Sequence, residues 1–227
     1  MKLHSRLVRD GAEASFVDSF LKKNDLFQDD KLDYIVLKET ITDGGIPDII
    51  VVSWDKGKKI KWSKERNKLD KKDLKILHYI SSKKSKGIGL KRIKSSLGFS
   101  QKTIKTTVER LIKSKLVELK NERVTINLVD DIFFLQDIVA IEAKLKNWKK
   151  AIEQAKLNLN FSSKSYVLVP EQKRSSLNTF DEELITGLIT YDGNKAKVVK
   201  RAKSNKLPSS YYSWLINEHI GRFINGK

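Results

Sequence analysis

Two β-branched runs, Ile46 to Ser53 (IPDIIVVS) and Ile138 to Lys144 (IVAIEAK), read as buried strands, yet the long stretch between them has apolar residues at helical spacing. The break constrains the fold more than any other feature: either the two runs pair across an inserted module, or the chain forms separate domains. Charge marks the same break. From Lys64 to Lys120 there are 18 Lys+Arg against 5 Asp+Glu, a net of +13, which leaves +5 for the other 170 residues of a chain whose total is +18. An AT-rich genome can enrich lysine throughout a protein, but it does not gather the excess into one segment. A polyanion is the partner that such a segment fits.

Within the break, Asp70 to Lys83 places Leu74, Leu77, His78 and Ile80 on or near one helical face, and Gly89 to Leu97 forms a short second helix that Gly98 ends. Ser100 can cap a third helix to Lys115, in which Ile104, Val108, Leu111 and Ile112 point inward and Gln101, Lys102, Lys105, Thr106, Glu109 and Lys113 outward. Leu116 to Leu119 and Arg123 to Leu128 then alternate like a β-hairpin. Three helices and a hairpin are the order of a winged helix-turn-helix, a DNA-binding domain expected over 64–128. Its third helix would enter the major groove while basic side chains grip phosphates. The expected DNA contacts are Lys91, Arg92, Gln101, Lys102, Lys105, Thr106, Lys113 and Arg123.

The flanks read as α/β. An amphipathic helix from Gly11 to Lys23 carries Glu13 near its start, and a strand at Tyr34 to Leu37 precedes the turn signal Asp43-Gly44-Gly45. Asp48 falls inside the strand that follows. After the break come a helix at Trp148 to Leu159 and strands at Ser165 to Val169, Gly187 to Tyr191 and about Ala196 to Lys200. A short helical region is expected around Asp181 to Leu184 and a last helix at Ser209 to Ile224. The expected boundaries are 1–63, 64–128 and 129–227, the first and third parts forming one core.

The chain has no cysteine, which excludes disulfides and thiolate metal sites, and His4, His78 and His219 lack ligand spacing. The Gly-containing turns lack the context of a P-loop. Trp148, Tyr211, Tyr212 and Trp214 read as packing residues before base-stacking platforms. The first residues lack the apolar core of a signal peptide and no apolar stretch approaches the roughly 18 residues of a membrane span. Cytoplasm is the expected compartment, with no membrane partner.

Chemistry concentrates on the two strands. Strand alternation puts Glu142 and Lys144 on one face, and if the Asp48 strand lies alongside, two carboxylates and an ammonium converge at a sheet edge, a ligand set suited to a hard divalent cation such as Mg²⁺. An acid two residues before a lysine is common by chance here. A Pro-Asp pair is rarer: 3 Pro and 16 Asp among 227 residues predict about 0.2 occurrences. The plain structural alternative is that Asp48 and Glu142 pair with lysines at a sheet end.

These residues, I46-P-D-I-I50 followed by I141-E-A-K144 and a helix carrying Gln154 that leads to a strand, resemble the PD-(D/E)XK nucleases, including the Holliday-junction-resolvase branch. The resemblance covers about residues 11–54 and 137–200, with the winged helix inserted between. It implies a restriction endonuclease-like mixed sheet flanked by helices. It further implies Mg²⁺, with Mn²⁺ as a substitute, held by Asp48 and Glu142 and outwardly by Glu13; a Lys144 that orients or deprotonates the attacking water; and a Gln154 that positions Lys144 or the phosphate. A DNA endonuclease of defence, restriction or repair, monomeric or a homodimer, is the expected function. The alternative is a non-catalytic DNA-binding regulator or accessory factor on the same scaffold; for Gln154 itself the plain alternative is a solvated helix residue.

Overall fold

The structure, a computed structural model, describes residues 10–23, 26–27, 29–42, 45–83, 87–172 and 185–225. His4, Asp43, Gly44 and the helical region expected at Asp181 to Leu184 lie outside the described residues. In chain order the elements are α1 (Ala12–Lys23), β1 (Leu32–Lys38), β2 (Ile49–Asp55), a 3-10 turn (Lys64–Lys68), α2 (Lys71–Ser81), β3 (Ile88–Gly89), α3 (Leu90–Leu97) and α4 (Gln101–Lys113). There follow β4 (Val117–Lys120), β5 (Arg123–Ile126), α5 (Val129–Ile132), β6 (Leu135–Ala143), α6 (Trp148–Asn158), β7 (Lys164–Pro170), β8 (Gly187–Tyr191), β9 (Ala196–Lys200) and α7 (Tyr211–Asn225). The described residues form two compact units: 10–58 with 135–209, and 59–134 with 210–225. Among the described residues no helix is long and apolar enough to cross a membrane.

The first unit is α/β, built on a mixed six-stranded sheet of order β1-β2-β6-β7-β8-β9. β1, β2 and β6 run antiparallel, β6, β7 and β8 parallel, and β9 antiparallel again. The central strands are near-continuous apolar runs because both of their faces are covered. On one face Val17 and Phe20 of α1 meet Ile49, Val51, Val139, Ile141 and Leu168. On the other, Ala151, Ile152 and Ala155 of α6 meet Val167, Val169 and Leu188. Each Val, Leu, Ile or Phe among them that is withdrawn from water contributes about 1.5–3 kcal/mol.

Two strand ends differ from expectation. β2 starts at Ile49, so Asp48 stands just before the strand; Pro47 has no N–H for a ladder, and the Asp48 carbonyl accepts from the Glu39 N–H at 3.2 Å. β6 stops at Ala143, one residue short of Lys144, although the Lys144 N–H still donates to the Leu168 carbonyl at 2.9 Å.

The second unit contains α2, α3 and α4 followed by the β4–β5 hairpin, which β3 extends to a three-stranded sheet of order β3-β5-β4. Asp70 caps α2 through a reciprocal box with Asp73. Gly98, at φ 70°, ends α3 in the left-handed region that glycine favours, and the Ser100 hydroxyl caps α4 by accepting from the Thr103 N–H at 3.1 Å. In α4 the buried residues are Ile104, Thr107, Val108 and Leu111. Ile112, expected inside, is 38 % exposed. Thr107 takes an inward place instead, donating its hydroxyl to the buried Asp73 carboxylate at 2.8 Å, which Arg110 also engages.

Residues 129–134 and 210–225 belong to this unit, whereas the expected third part, 129–227, assigns them to the core with the strands. The physical reason lies in α2 and α7. α2 buries Ile76 as well as Leu74, Leu77 and Ile80, more than one helical face, because α7 packs against it as α4 does. α7 brings Glu218 to Arg66: the Arg66 Nε donates to Oε2 at 3.1 Å, Nη2 donates to Oε1, and Nη2 also reaches the Ile132 carbonyl at 2.9 Å. Gly221 is required there, since a Cβ would lie 2.0 Å from Cζ3 of Trp62.

Candidate active site

The β2–β6 register pairs Ile49 with Ile141, so the residue before β2, Asp48, falls level with Glu142. Asp48 is fixed by its Oδ2, which accepts the Ala143 N–H at 2.7 Å. Glu142, 2 % exposed, points toward α6, where the Asn158 amide donates to its Oε1 at 2.8 Å. Burial, and then repulsion from Asp48, pushes the Glu142 carboxyl up to about 8, against the pull of Asn158 and Lys144. Asp48 is also held above the usual carboxylate range, by burial first, while the Ala143 N–H and Lys144 oppose the rise and Glu39 and Glu13 add to it. Glu142 therefore senses Asp48 across adjoining strands.

Lys144 follows directly from β6, and its Nζ donates to Glu13 Oε2 at 3.1 Å, Glu13 being in the first turn of α1. Glu13, Asp48 and Lys144 line one cavity of about 300 Å³ together with Lys38 and Glu39. Glu142 does not line it, although it is coupled electrostatically to both Asp48 and Lys144. Gln154 is half-buried on α6, one turn before Asn158, and its Oε1 is buried with no hydrogen-bond partner among the described residues; nothing joins it to Lys144.

Lys38, Glu39 and Asn158 were not among the residues expected from the sequence. Asn158 had an available signal, since it follows Gln154 by four residues on one helical face. Glu39 had none: it reaches the cavity in a left-handed backbone conformation, φ 46°, that a glutamate seldom adopts.

Among the described residues no group of three or more His, Cys, Asp or Glu side chains is gathered as a metal-ligand cluster. Of the carboxylates here, Asp48 lines the cavity with Asp10, Glu39 and a Glu13 engaged by Lys144, and Glu142 lies buried beside Asp48, so that Asp48 and Glu142 are the pair that could share a cation. That set fits Mg²⁺, which commonly takes one or two protein carboxylates and keeps several waters, better than a cation that needs a full protein cage. Two neighbouring acids, both held above the usual carboxylate range, also form a pair whose charge a divalent cation would balance.

The expected DNA-contact residues all belong to the other unit. Lys91 and Arg92 are exposed on α3, and Lys102, Lys105, Thr106 and Lys113 on α4, while Gln101 is half-buried. The Thr106 hydroxyl donates to the Lys102 carbonyl at 3.0 Å. Arg123 is exposed on β5 with its Nη2 donating to the Gly87 carbonyl at 2.8 Å.

No protein-family model matches this chain, and no curated protein matches it. Among solved structures, SPO1766, a protein of unknown function from Silicibacter pomeroyi, matches 40% of this chain and 60% of its own length, with 19% identity and a TM-score of 0.30. The chain thus spans 60% of that neighbour, and a likeness at this level carries no argument about fold or function.

Proposed function

We propose that the chain is a metal-dependent deoxyribonuclease of the PD-(D/E)XK type, in which the sheet unit cuts and the helical unit, a winged helix, binds DNA. The coupling of Asp48 to Glu142 across adjoining strands, with Lys144 at the end of the same strand, is the observation that supports this most directly. Perturbed acids beside a cavity are the pattern of groups kept for chemistry. Asp48 and Glu142 would hold Mg²⁺, or Mn²⁺ in its place. Each is steadied through one oxygen, by Ala143 and by Asn158, and keeps its other oxygen without a hydrogen bond among the described residues. Bound there, the metal supplies Lewis-acid polarisation of a phosphate oxygen and a more acidic water. Lys144 would orient the attacking water and steady charge developing on the phosphate, exchanging Glu13 for the substrate. Glu13 keeps the ammonium at the cavity until then.

The order α2, β3, α3, α4, β4, β5 supports a winged helix, with α4 as the helix for the major groove and Lys91, Arg92, Lys102, Lys105 and Lys113 as phosphate contacts. Two copies would bring two cutting sites to a duplex. Defence, restriction or repair is the setting that suits such a protein.

A second reading, a DNA-binding regulator with a silent nuclease scaffold, is favoured by the burial of Glu142 outside the cavity and by the Lys144–Glu13 pair. Incubating the full chain with supercoiled, linear and branched DNA, with and without Mg²⁺ or Mn²⁺, separates them. Metal-dependent cutting that disappears in Lys144→Ala supports the enzyme. Tight binding without cutting on any substrate supports the regulator.

A further inference from the structure

The helical unit has a cavity of its own, about 400 Å³, where α4 hands over to the hairpin, and Trp62, Arg66, Ser114, Lys115 and Asn127 form part of its wall. Its buried donors are incompletely used. Ser114 is 2 % exposed, and its Oγ is buried with no hydrogen-bond partner among the described residues. Arg66 is 1 % exposed; Glu218 and the Ile132 carbonyl take its Nε and Nη2, leaving Nη1 without a partner among the described residues. A buried donor without an acceptor is costly, and the Ser114 hydroxyl on this cavity wall marks a place for an acceptor, with the Arg66 guanidinium beside it.

Charge at the cavity has the matching sign. The one carboxylate on its wall, Asp131, is paired with Lys61 at 3.3 Å, and Glu218 balances Arg66. Lys115 has no ion pair among the described residues. The carbonyls that end α4 would repel an anion, but the Ser63 hydroxyl donates to that of Ser114 at 3.3 Å and the Asn127 amide to that of Lys115 at 2.9 Å. Trp62 offers no free face for a stacked base: the Arg66 guanidinium lies 4.0 Å from its ring centroid, and Gly221 presses on its six-membered ring.

We propose that this cavity is a binding site for a small free oxyanion, a phosphate monoester or a carboxylate, held by Arg66 Nη1, Ser114 Oγ and Lys115 Nζ. The depth of Arg66 and Ser114 favours a free ligand over a backbone phosphate of duplex DNA. An anion held there would tie the end of α4 to the base of the hairpin at Asn127 and to the 61–66 segment, linking a metabolite to the elements proposed to meet DNA. The site itself is independent of the nuclease reading.

The test is calorimetric titration of the full chain with inorganic phosphate and with succinate at constant ionic strength, with chloride as the control. Ser114→Ala removes the hydroxyl, and Lys115→Asn removes the charge while keeping a residue that tolerates the left-handed backbone, φ 59°, at this position. Saturable one-to-one binding is expected for phosphate or succinate, weakened by about 10-fold or more in each variant because a charge-assisted hydrogen bond is removed. A short DNA duplex should leave phosphate bound. Heats that match chloride, or equal affinity in wild type and both variants, would overturn the site. Displacement by the duplex would overturn the free ligand. The wild-type comparison with chloride stands even if one variant fails to fold.

Discussion

The two units bury charge in opposite ways. In the helical unit each buried charge has an opposite one on it: Arg66 has Glu218, and Asp73 has Arg110 together with the Thr107 hydroxyl. In the sheet unit Asp48 and Glu142 are two neighbouring acids, each steadied by a single neutral N–H, and both are held above the usual carboxylate range. Paired burial holds parts of a fold together, since removing one partner leaves the other stranded. Neighbouring acids without an ion-pair partner of their own are a burden that a fold carries for another reason, and here a cavity and a lysine stand beside them. The same chain thus shows what charge looks like when it serves the fold and when it serves a site.

The largest effect should come from the site. Lys144→Ala and Glu142→Gln are expected to lower Mg²⁺-dependent plasmid cleavage by on the order of 10³-fold or more while leaving duplex affinity within a few-fold, because an acid or base group and a metal ligand act on chemistry and not on docking. Unchanged cleavage would remove Asp48, Glu142 and Lys144 from the mechanism. The contrast between the units is broken or kept by Glu218→Ala, which strands the Arg66 guanidinium and should cost about 3–5 kcal/mol in denaturant unfolding. If Glu218→Ala is no more destabilising than Glu142→Gln, the distinction between paired and unpaired burial fails.

A smaller change is expected on the surface of α4. Lys102→Glu combined with Lys105→Glu should weaken duplex binding roughly 10-fold and reduce the slope of log affinity against log salt by roughly 1 for each phosphate that is no longer neutralised. An unchanged slope would turn α4 away from DNA. The smallest effect concerns proton binding. Glu142 has a folded value of about 8, above the ordinary 4.5. The folded state therefore keeps a proton that the unfolded chain has released. Its contribution to stability is complete below the ordinary value and is lost as pH rises through the folded one. Glu142→Gln cannot ionise, so the metal-free variant should melt level with wild type near pH 5 and above it near pH 9, by a margin that grows as pH rises. A difference that is equal at both pH values would show that burial of this carboxyl is not what sets its proton.

Local pattern was enough to find the elements that depend on local pattern. The Ser100 cap, the Gly98 stop and the repeat of Ile104, Val108 and Leu111 place α4 within two residues of its bounds, and the apolar runs place β2 and β6. Alternation puts Glu142 and Lys144 on one face, but Lys144 turns to Glu13 on α1, on a cavity that Asp48 also lines, while Glu142 turns to Asn158 on α6. What stayed hidden depends on distant partners. Arg66 and Glu218 are 152 residues apart, and neither has a local signature of burial. β3 is two residues long, too short for a period, and exists because Ile88 pairs with Val124. Glu39 enters the cavity by a backbone twist that its side chain does not announce. The inward turn of Glu142 toward Asn158 also escaped, because alternation assigns a face without saying what covers it.

The return of α7 to the helical unit has a consequence for biosynthesis. A ribosome delivers α2, α3, α4 and the hairpin long before residues 211–225, yet Arg66 and the second side of α2 wait for that last helix. The sheet waits as well, since β2 must stand by until β6 has been made. Neither unit can close as soon as its first half emerges, and each leaves an apolar surface open while the other is being translated. Such nascent intermediates attract chaperones and are prone to aggregation, so slowing translation just ahead of α7 should lower the yield of this protein more than slowing it ahead of β1.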